Sequence, residues 1–285
     1  MGREDRYPRA MTDASAPRDA ATVLLLRDLG AGPEVFLVKR HGGSGFMAGA
    51  HVFPGGVLDD ADRDPSLHEG ASPEAFARAL DELDDPIRAV ALHVAALRET
   101  FEESGVLLTT TAHDAAARAA LRARHTEQDD FPTLVREHGL VLSLDALVPQ
   151  ARWITPTVEK RRYDARFFLA VAPEDQEATH DAKETTESAW MRPAEAIDAE
   201  ARNVLRLPPP TMRTLEHLAA FDSIASILAD ARSRRPPRMA PVFHDRGGTW
   251  ILALPGDPLH PEPEPAFPGS TRYVLEGGRW WARTG

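Results

Sequence analysis

The sequence predicts a mixed α/β (α+β) fold with a small C-terminal β addition, and three observations carry that prediction. Two apolar runs, Thr22–Arg27 and Glu34–Arg40, flank the turn Gly30–Pro33 in the manner of a β-hairpin. Ile87, Val90, Val94, Leu97 and Phe101 recur at spacings of three and four, the period of a helix that buries one face. Beyond Pro236-Pro237 the chain turns to short β-like runs around a proline-dense loop. Antiparallel-looking strands mixed with helices argue for a layered domain with an appendage.

In chain order, residues 1–20 read as a charged, solvated tail, and residues 21–200 as the main domain. The predicted hairpin leads through a Gly-rich loop into His51-Val52-Phe53-Pro54-Gly55-Gly56. From Asp59 to Asp85 the composition turns acidic and is broken by Pro65, Gly70 and Pro73. This predicts a surface insertion over about residues 63–86, with a helix at Pro73–Leu83, serving as a lid or subunit contact. Pro86 suits a helix start and Gly105 its stop. Val106–Leu108 reads as a short strand, and His113–His138 as one or two helices interrupted near 129–132. Strands are expected at Ala151–Thr155, Tyr163–Val171 and Ser188–Arg192, with a short helix at Ala194–Ala199. Pro208-Pro209-Pro210 introduces an expected helix, Thr211–Arg232, within a segment spanning 201–235. Residues 236–285 form the β-rich extension, with runs at Thr249–Leu254, Arg272–Glu276 and Arg279–Ala282.

Composition narrows the class. Of 285 residues 42% are hydrophobic, enough for a sizeable core. The longest charge-free apolar run, Ala89–Leu97, is far below the roughly 18–20 residues of a membrane span, so no membrane partner is expected. Zero cysteines exclude disulfides and thiolate metal sites, and fit a cytoplasmic protein. A net charge of −11 is a poor footprint for nucleic-acid binding. It is compatible with an anionic small molecule if metal ions stand between.

The segment Arg98-Glu99-Thr100-Phe101-Glu102-Glu103-Ser104-Gly105-Val106 gives that idea its residues. On a helix, Glu99, Glu102 and Glu103 share one face, where like charges repel by a few tenths of a kcal/mol per pair. They also sit at the helix C-terminus, where the macrodipole disfavours anions. A bound hard cation reverses both penalties; a solvated acidic face is the competing reading.

With Phe53-Pro54-Gly55-Gly56 upstream, this segment resembles the box of the Nudix hydrolase family, G-x5-E-x7-R-E-U-x-E-E-x-G-U, with U apolar. Gly56, Arg98, Glu99, Glu102, Glu103, Gly105 and Val106 match. Thr100 stands at an apolar position and Asp62 at the first glutamate, and 35 residues, not seven, separate Asp62 from Arg98. The resemblance implies a Nudix fold, a mixed sheet sandwiched between helices, and hydrolysis of a phosphoanhydride. It implies Mg²⁺ or Mn²⁺ held by Glu99, Glu102 and Glu103, with Arg98 orienting a glutamate. Glu102, Glu103 and Arg98 are thus the expected catalytic group. A further acidic residue often precedes a Trp-bearing strand; Glu184 and Glu187 precede Trp190 here, and Glu184 fits better by spacing.

Upstream, Leu37, Arg40, Gly49 and Phe53-Pro54-Gly55-Gly56 keep the spacing of the family's coenzyme A branch, L-L-T-x-R-[SA]-x3-R-x3-G-x3-F-P-G-G. Gly45 replaces that pattern's second Arg; Arg161, Arg162 and Arg166 are candidates to restore the charge. Arg40, Gly55, Gly56, Arg161 and Arg166 are accordingly the expected substrate contacts. Coenzyme A or an acyl-coenzyme A leads as substrate. A nucleotide-sugar, dinucleotide or nucleoside triphosphate is the alternative, and a Nudix-like sensor that binds without cleaving is another; a homodimer is compatible with each. His51 and His93 read as core or solvent residues.

Overall fold

Strand β1 (Arg18–Asp28) alternates residue by residue between two cores, and that alternation organises the domain. The computed structural model describes residues 15–42, 48–68, 70–111, 113–127, 130–181 and 185–283. In it β1 pairs antiparallel with β2 (Pro33–Arg40) through the expected hairpin, and parallel with β6 (Tyr163–Val171). Further strands are β3 (His51–Val52), β4 (Gly55–Val57), β5 (Val148–Ile154), β7 (Thr185–Met191) and β8 (Arg238–Met239). The main path runs β3-β2-β1-β6-β5-β8, with β4 on β1 and β7 on β2. Strands β3 and β4 lie where β1 and β2 diverge: Val52 pairs Val38, and Gly56 pairs Ala21.

Val23, Leu25, Phe36, Val38, Phe168 and Ala170 pack beneath helix α2 (Pro86–Ser104). Leu24, Leu26, Val35, Leu37, Phe167 and Leu169 face helices α5 (Pro193–Ala201), α6 (Pro209–Leu218) and α7 (Ile224–Ser233). A four-stranded antiparallel sheet, β12-β11-β10-β9, joins this second core through Leu252 and Tyr273. Its strands are β9 (Val242–Arg246), β10 (Thr249–Ala253), β11 (Arg272–Glu276) and β12 (Arg279–Arg283). The expected mixed sheet between helices, with its β-rich extension, is what the chain forms.

Helix α2 begins and ends on the expected residues. Asp85 Oδ1 accepts the Arg88 N–H at 2.9 Å, Pro86 occupies the first turn, and Gly105 ends the helix at φ 72°. The burial is broader than one face, however. Every residue from Ala89 to Phe101 is buried, while Ile87 is exposed. The outer side is covered largely by the insertion, whose helix α1 (Pro73–Leu80) contributes Phe76, Ala77 and Leu80 to the core, with Leu67 just before it. The helix expected over Pro73–Leu83 is present as α1, but it buries an apolar face, so the segment is only partly a surface excursion.

Two other expectations need correction. Val106–Leu108 forms no strand; the amide and carbonyl of Leu107 instead bond the Gln176 side chain, at 2.8 and 2.9 Å, which stands in for a β partner. The single helix expected over 211–232 is two, α6 and α7, because Ser223 caps a new start by accepting the Ser226 N–H. Helices α3 (Ala115–Glu127) and α4 (Phe131–Glu137) occupy the Ala/Arg-rich stretch.

Candidate active site

Helix α2 lays its last turns against β4, and this contact brings the two halves of the interrupted box together. Arg98 is the joint. Its Nε and Nη2 donate to Asp62 Oδ1 and Oδ2 at 2.8 and 2.9 Å, a bidentate pair across the insertion. Nη1 donates to Glu99 Oε1 at 2.7 Å and Glu102 Oε2 at 3.0 Å, and Nη2 also reaches the Val57 carbonyl at 2.9 Å. Burial alone would depress the Arg98 pKa; the Asp62 hydrogen bonds and the charges of Glu99, Asp62 and Glu102 outweigh it and raise the value. Arg98 is a fixed cation.

Asp62 sits in a short 3-10 turn, Asp60–Arg63, fully buried, and accepts the Asp59 N–H at 2.8 Å. The shorter side chain at the first-glutamate position still reaches Arg98. The inserted residues leave after Asp62 and return through α1, so they do not separate the pair.

The other two glutamates meet the glycines. Glu103 Oε2 accepts the Gly55 N–H at 3.0 Å. A Cβ on Gly56 would fall 2.2 Å from Glu99 Oε1, and one on Gly55 would fall 2.4 Å from the Ala21 carbonyl oxygen. The first would displace a side chain and the second a backbone, so the two glycines protect different things. Thr100, at the apolar position, is buried with its hydroxyl donating to the Ala96 carbonyl at 2.7 Å, which removes the cost of burying it there.

Sequence reasoning did not single out His125, whose Nε2 lies 2.9 Å from Glu102 Oε1. Helix α3 brings it there from a stretch whose composition carries no such signal. The donor chemistry of Glu99, Glu102 and Glu103 fits a hard divalent cation. As the side chains stand, Glu99 and Glu102 share Arg98 Nη1, Glu102 also meets His125, and Glu103 turns to the Gly55 amide. Among the described residues no three His, Asp or Glu groups form a ready-made metal site.

The outlying candidates fare differently. Arg40 ends β2, its backbone closing on Ala50 and Gly49 at 2.9 and 3.2 Å, and Arg161 lies exposed in the β5–β6 loop. Arg166 corrects an expectation: its guanidinium is buried and bonds Glu82 at 2.8 and 2.6 Å, Asp19 at 2.5 Å and the Asp164 carbonyl at 2.8 Å. It holds α1 to the sheet and does not offer itself to a ligand. Glu187 pairs with Lys39 at 2.7 Å. Glu184 and Gly45 lie outside the described residues.

Known proteins share this arrangement. The family model described as NUDT19 Nudix domain matches residues 17–218. The human acyl-coenzyme A diphosphatase NUDT19 is 30% identical over 274 residues, 81% of this chain and 73% of that protein. The Gallus gallus protein of the same name is 29% identical over 315 residues, covering 90% and 83%. Among solved structures, a NUDIX hydrolase from Alicyclobacillus acidocaldarius matches with a TM-score of 0.62 at 26% identity, over 79% of this chain and 99% of that one.

Proposed function

From the premise that this chain belongs to the Nudix hydrolase family, we propose that it is a Mg²⁺- or Mn²⁺-dependent diphosphatase for coenzyme A or an acyl-coenzyme A. The observation that carries the hydrolase reading is the reunited box: Asp62 clamps Arg98, and Arg98 in turn holds Glu99 and Glu102 beside the two glycines. The substrate rests on the relatives named acyl-coenzyme A diphosphatase, which match over most of this chain. No helix among the described residues is long and apolar enough to cross a membrane, and the substrate is a small molecule.

Glu99, Glu102 and Glu103 would hold the metal. A bound divalent cation neutralises phosphate charge and lowers the pKa of the attacking water. The Gly55 amide fixes the Glu103 carboxylate, and Arg98 prevents Glu99 and Glu102 from splaying apart under mutual repulsion. Water attacks one phosphorus of the pyrophosphate, the bridging P–O bond breaks to leave two phosphomonoesters, and the protons of the attacking water pass to the products and to solvent. For coenzyme A the products are phosphopantetheine and adenosine 3′,5′-bisphosphate.

The test is a panel of diphosphates assayed with and without Mg²⁺ or Mn²⁺. Coenzyme A species should be cleaved only with metal, and faster than nucleoside triphosphates. A tenfold advantage for ADP-ribose or a dinucleotide would overturn the substrate, and metal-independent turnover would overturn the mechanism. Glu103→Gln should lower kcat/KM at least about 100-fold without lowering the thermal midpoint, because an amide oxygen can still accept the Gly55 N–H.

A further inference from the structure

The docking of the C-terminal sheet onto the main domain leaves an open cavity of about 360 Å³ at the surface. Its walls are the end of β2, the start of β3, the α5–α6 connection and the tight turn between β11 and β12. Lys39, Arg206 and Arg279 line it, together with His51 and the turn glycines Gly277 and Gly278; among the described residues no carboxylate does. In a chain of net charge −11, a cavity with three cationic side chains and no anionic one selects for an anion.

The cations are not equivalent. Arg279 is committed to the fold through Glu200 at 2.7 Å and Asn203 at 2.5 Å. Lys39 is shared with Glu187, which is itself largely exposed and outside the lining. Arg206 is exposed and forms no ion pair among the described residues; its guanidinium is tethered only to the Gly278 carbonyl at 3.3 Å. His51 adds a neutral donor. Its backbone N–H donates to the Arg206 carbonyl at 2.8 Å, and its Nδ1 accepts the Arg206 N–H at 3.4 Å, which leaves Nε2 to carry the hydrogen. Burial and the neighbouring Lys39 ammonium push the His51 pKa down, so the ring is uncharged at neutral pH.

Position narrows the anion. His51 is four residues before Gly55, whose amide holds Glu103, so the two backbones lie no more than about 14 Å apart. Lys39 shares the strand face of Leu37, which belongs to the second core, whereas Gly56 meets Glu99 on the α2 side. The cavity is therefore close to the reacting centre but across the sheet edge from it. A pyrophosphate held at the glutamates does not also fill it, so the anion it takes is a separate group.

We propose that this seam cavity is a subsite for a phosphomonoester on the nucleotide end of the substrate, with Arg206 and Lys39 as its cations and His51 Nε2–H as its neutral donor. The proposal rests on the coenzyme A reading above, because coenzyme A carries such a group on its ribose and most competing diphosphates do not. It gives the C-terminal sheet a part in specificity, since Gly278 anchors Arg206 over the opening.

The experiment uses the full chain and two readouts. Calorimetric binding of adenosine 3′,5′-bisphosphate and of 5′-AMP, without added metal, should favour the bisphosphate at least tenfold, as expected for one charge-assisted contact. Arg206→Gln should abolish that preference. In kinetics with metal, the same variant should raise KM for coenzyme A about tenfold, leave kcat unchanged, and leave dephospho-coenzyme A unaffected. Equal wild-type affinity for the two nucleotides, or an Arg206→Gln effect of the same size on both, overturns the subsite. If coenzyme A proves not to be a substrate while the Arg206-dependent preference persists, the substrate reading falls and the subsite stands. If coenzyme A is cleaved with no dependence on Arg206, only the subsite falls.

Discussion

Two buried arginines bind the same insertion to the same domain, and they do so for different ends. Arg98 meets Asp62 at the start of the inserted segment; Arg166 meets Glu82 near its end. Both guanidiniums make bidentate pairs with a buried carboxylate, and burial alone would depress both pKa values where the surrounding carboxylates instead raise them. The difference lies in the remaining partners. Around Arg166 these are Asp19 and Asp164, at the strand ends, and Glu82 also bonds Arg88 at 3.1 Å. Around Arg98 they are Glu99 and Glu102; exposure does not separate the centres, for the remaining carboxylates are 11% and 26% exposed in both. One centre spreads its carboxylates over Arg88, Arg152 and Arg166; the other sets Arg98 against Asp62, Glu99 and Glu102 together and keeps negative charge for a cation from outside. Burial and ion pairing look alike in the two, so neither identifies a reactive site without the chemistry of the remaining partners.

The largest expected effect falls on the Arg166 centre. Arg166→Met leaves Glu82 buried with fewer positive neighbours, and should cost about 3 kcal/mol of unfolding free energy in urea. Adding Glu82→Leu should recover at least half of that loss, because the uncompensated charge goes with it. At temperatures where the variant is folded, kcat/KM should stay near wild type; a large loss there would show that the two centres are coupled.

The next effect sharpens the comparison from the other side. Asp62→Asn keeps the shape of the Arg98 contact but removes the charge that anchors it, so Arg98 is freer to follow Glu99 and Glu102. Supporting groups of this kind are worth about 10–100-fold in activity, and kcat/KM should fall by that factor; the midpoint falls as well, because the amide has one acceptor oxygen where the carboxylate used two. If Asp62→Asn lowers stability but spares activity, the Arg98 centre is structural too, and the contrast between the two arginines disappears.

Legibility in the sequence followed the range of each interaction. Helix α2, its Gly105 stop and its line of three glutamates were readable because a helical period is local. The Asp62–Arg98 pair was not, since nothing in 35 intervening residues says whether the chain returns to its starting point. Phe76, Ala77 and Leu80 show the missed signal: spacings of one, three and four within an acidic segment already mark a buried face. Ser223 was a legible cap overlooked because no Gly or Pro accompanies it. Leu107 was illegible in a different way, for its β-like run finds a glutamine side chain where a strand was expected. The His125–Glu102 contact required tertiary structure altogether.

The smallest expected effect concerns the apolar contact between the two arginines' territories. His93 lies on α2 with its ring 4.6 Å from Phe76 of the insertion and 4.7 Å from Phe168 of β6, and its Nδ1–H donates to the Ala89 carbonyl at 2.8 Å. Burial drives its pKa down from 6.5 to about 4, against the raising effect of that hydrogen bond. The folded state therefore binds fewer protons than the unfolded chain between these values. The resulting stability is fully present above pH 6.5 and is lost as the pH falls toward 4. Between pH 7.5 and 5.5 this single group should remove about 1 kcal/mol. His93→Phe keeps an aromatic ring between Phe76 and Phe168 and removes the titration. In paired urea titrations at the two pH values, the wild type should lose about 1 kcal/mol more than the variant. Equal losses would mean that the insertion is held over α2 by groups other than this histidine wherever pH matters, leaving the two arginine centres to account for its acid sensitivity.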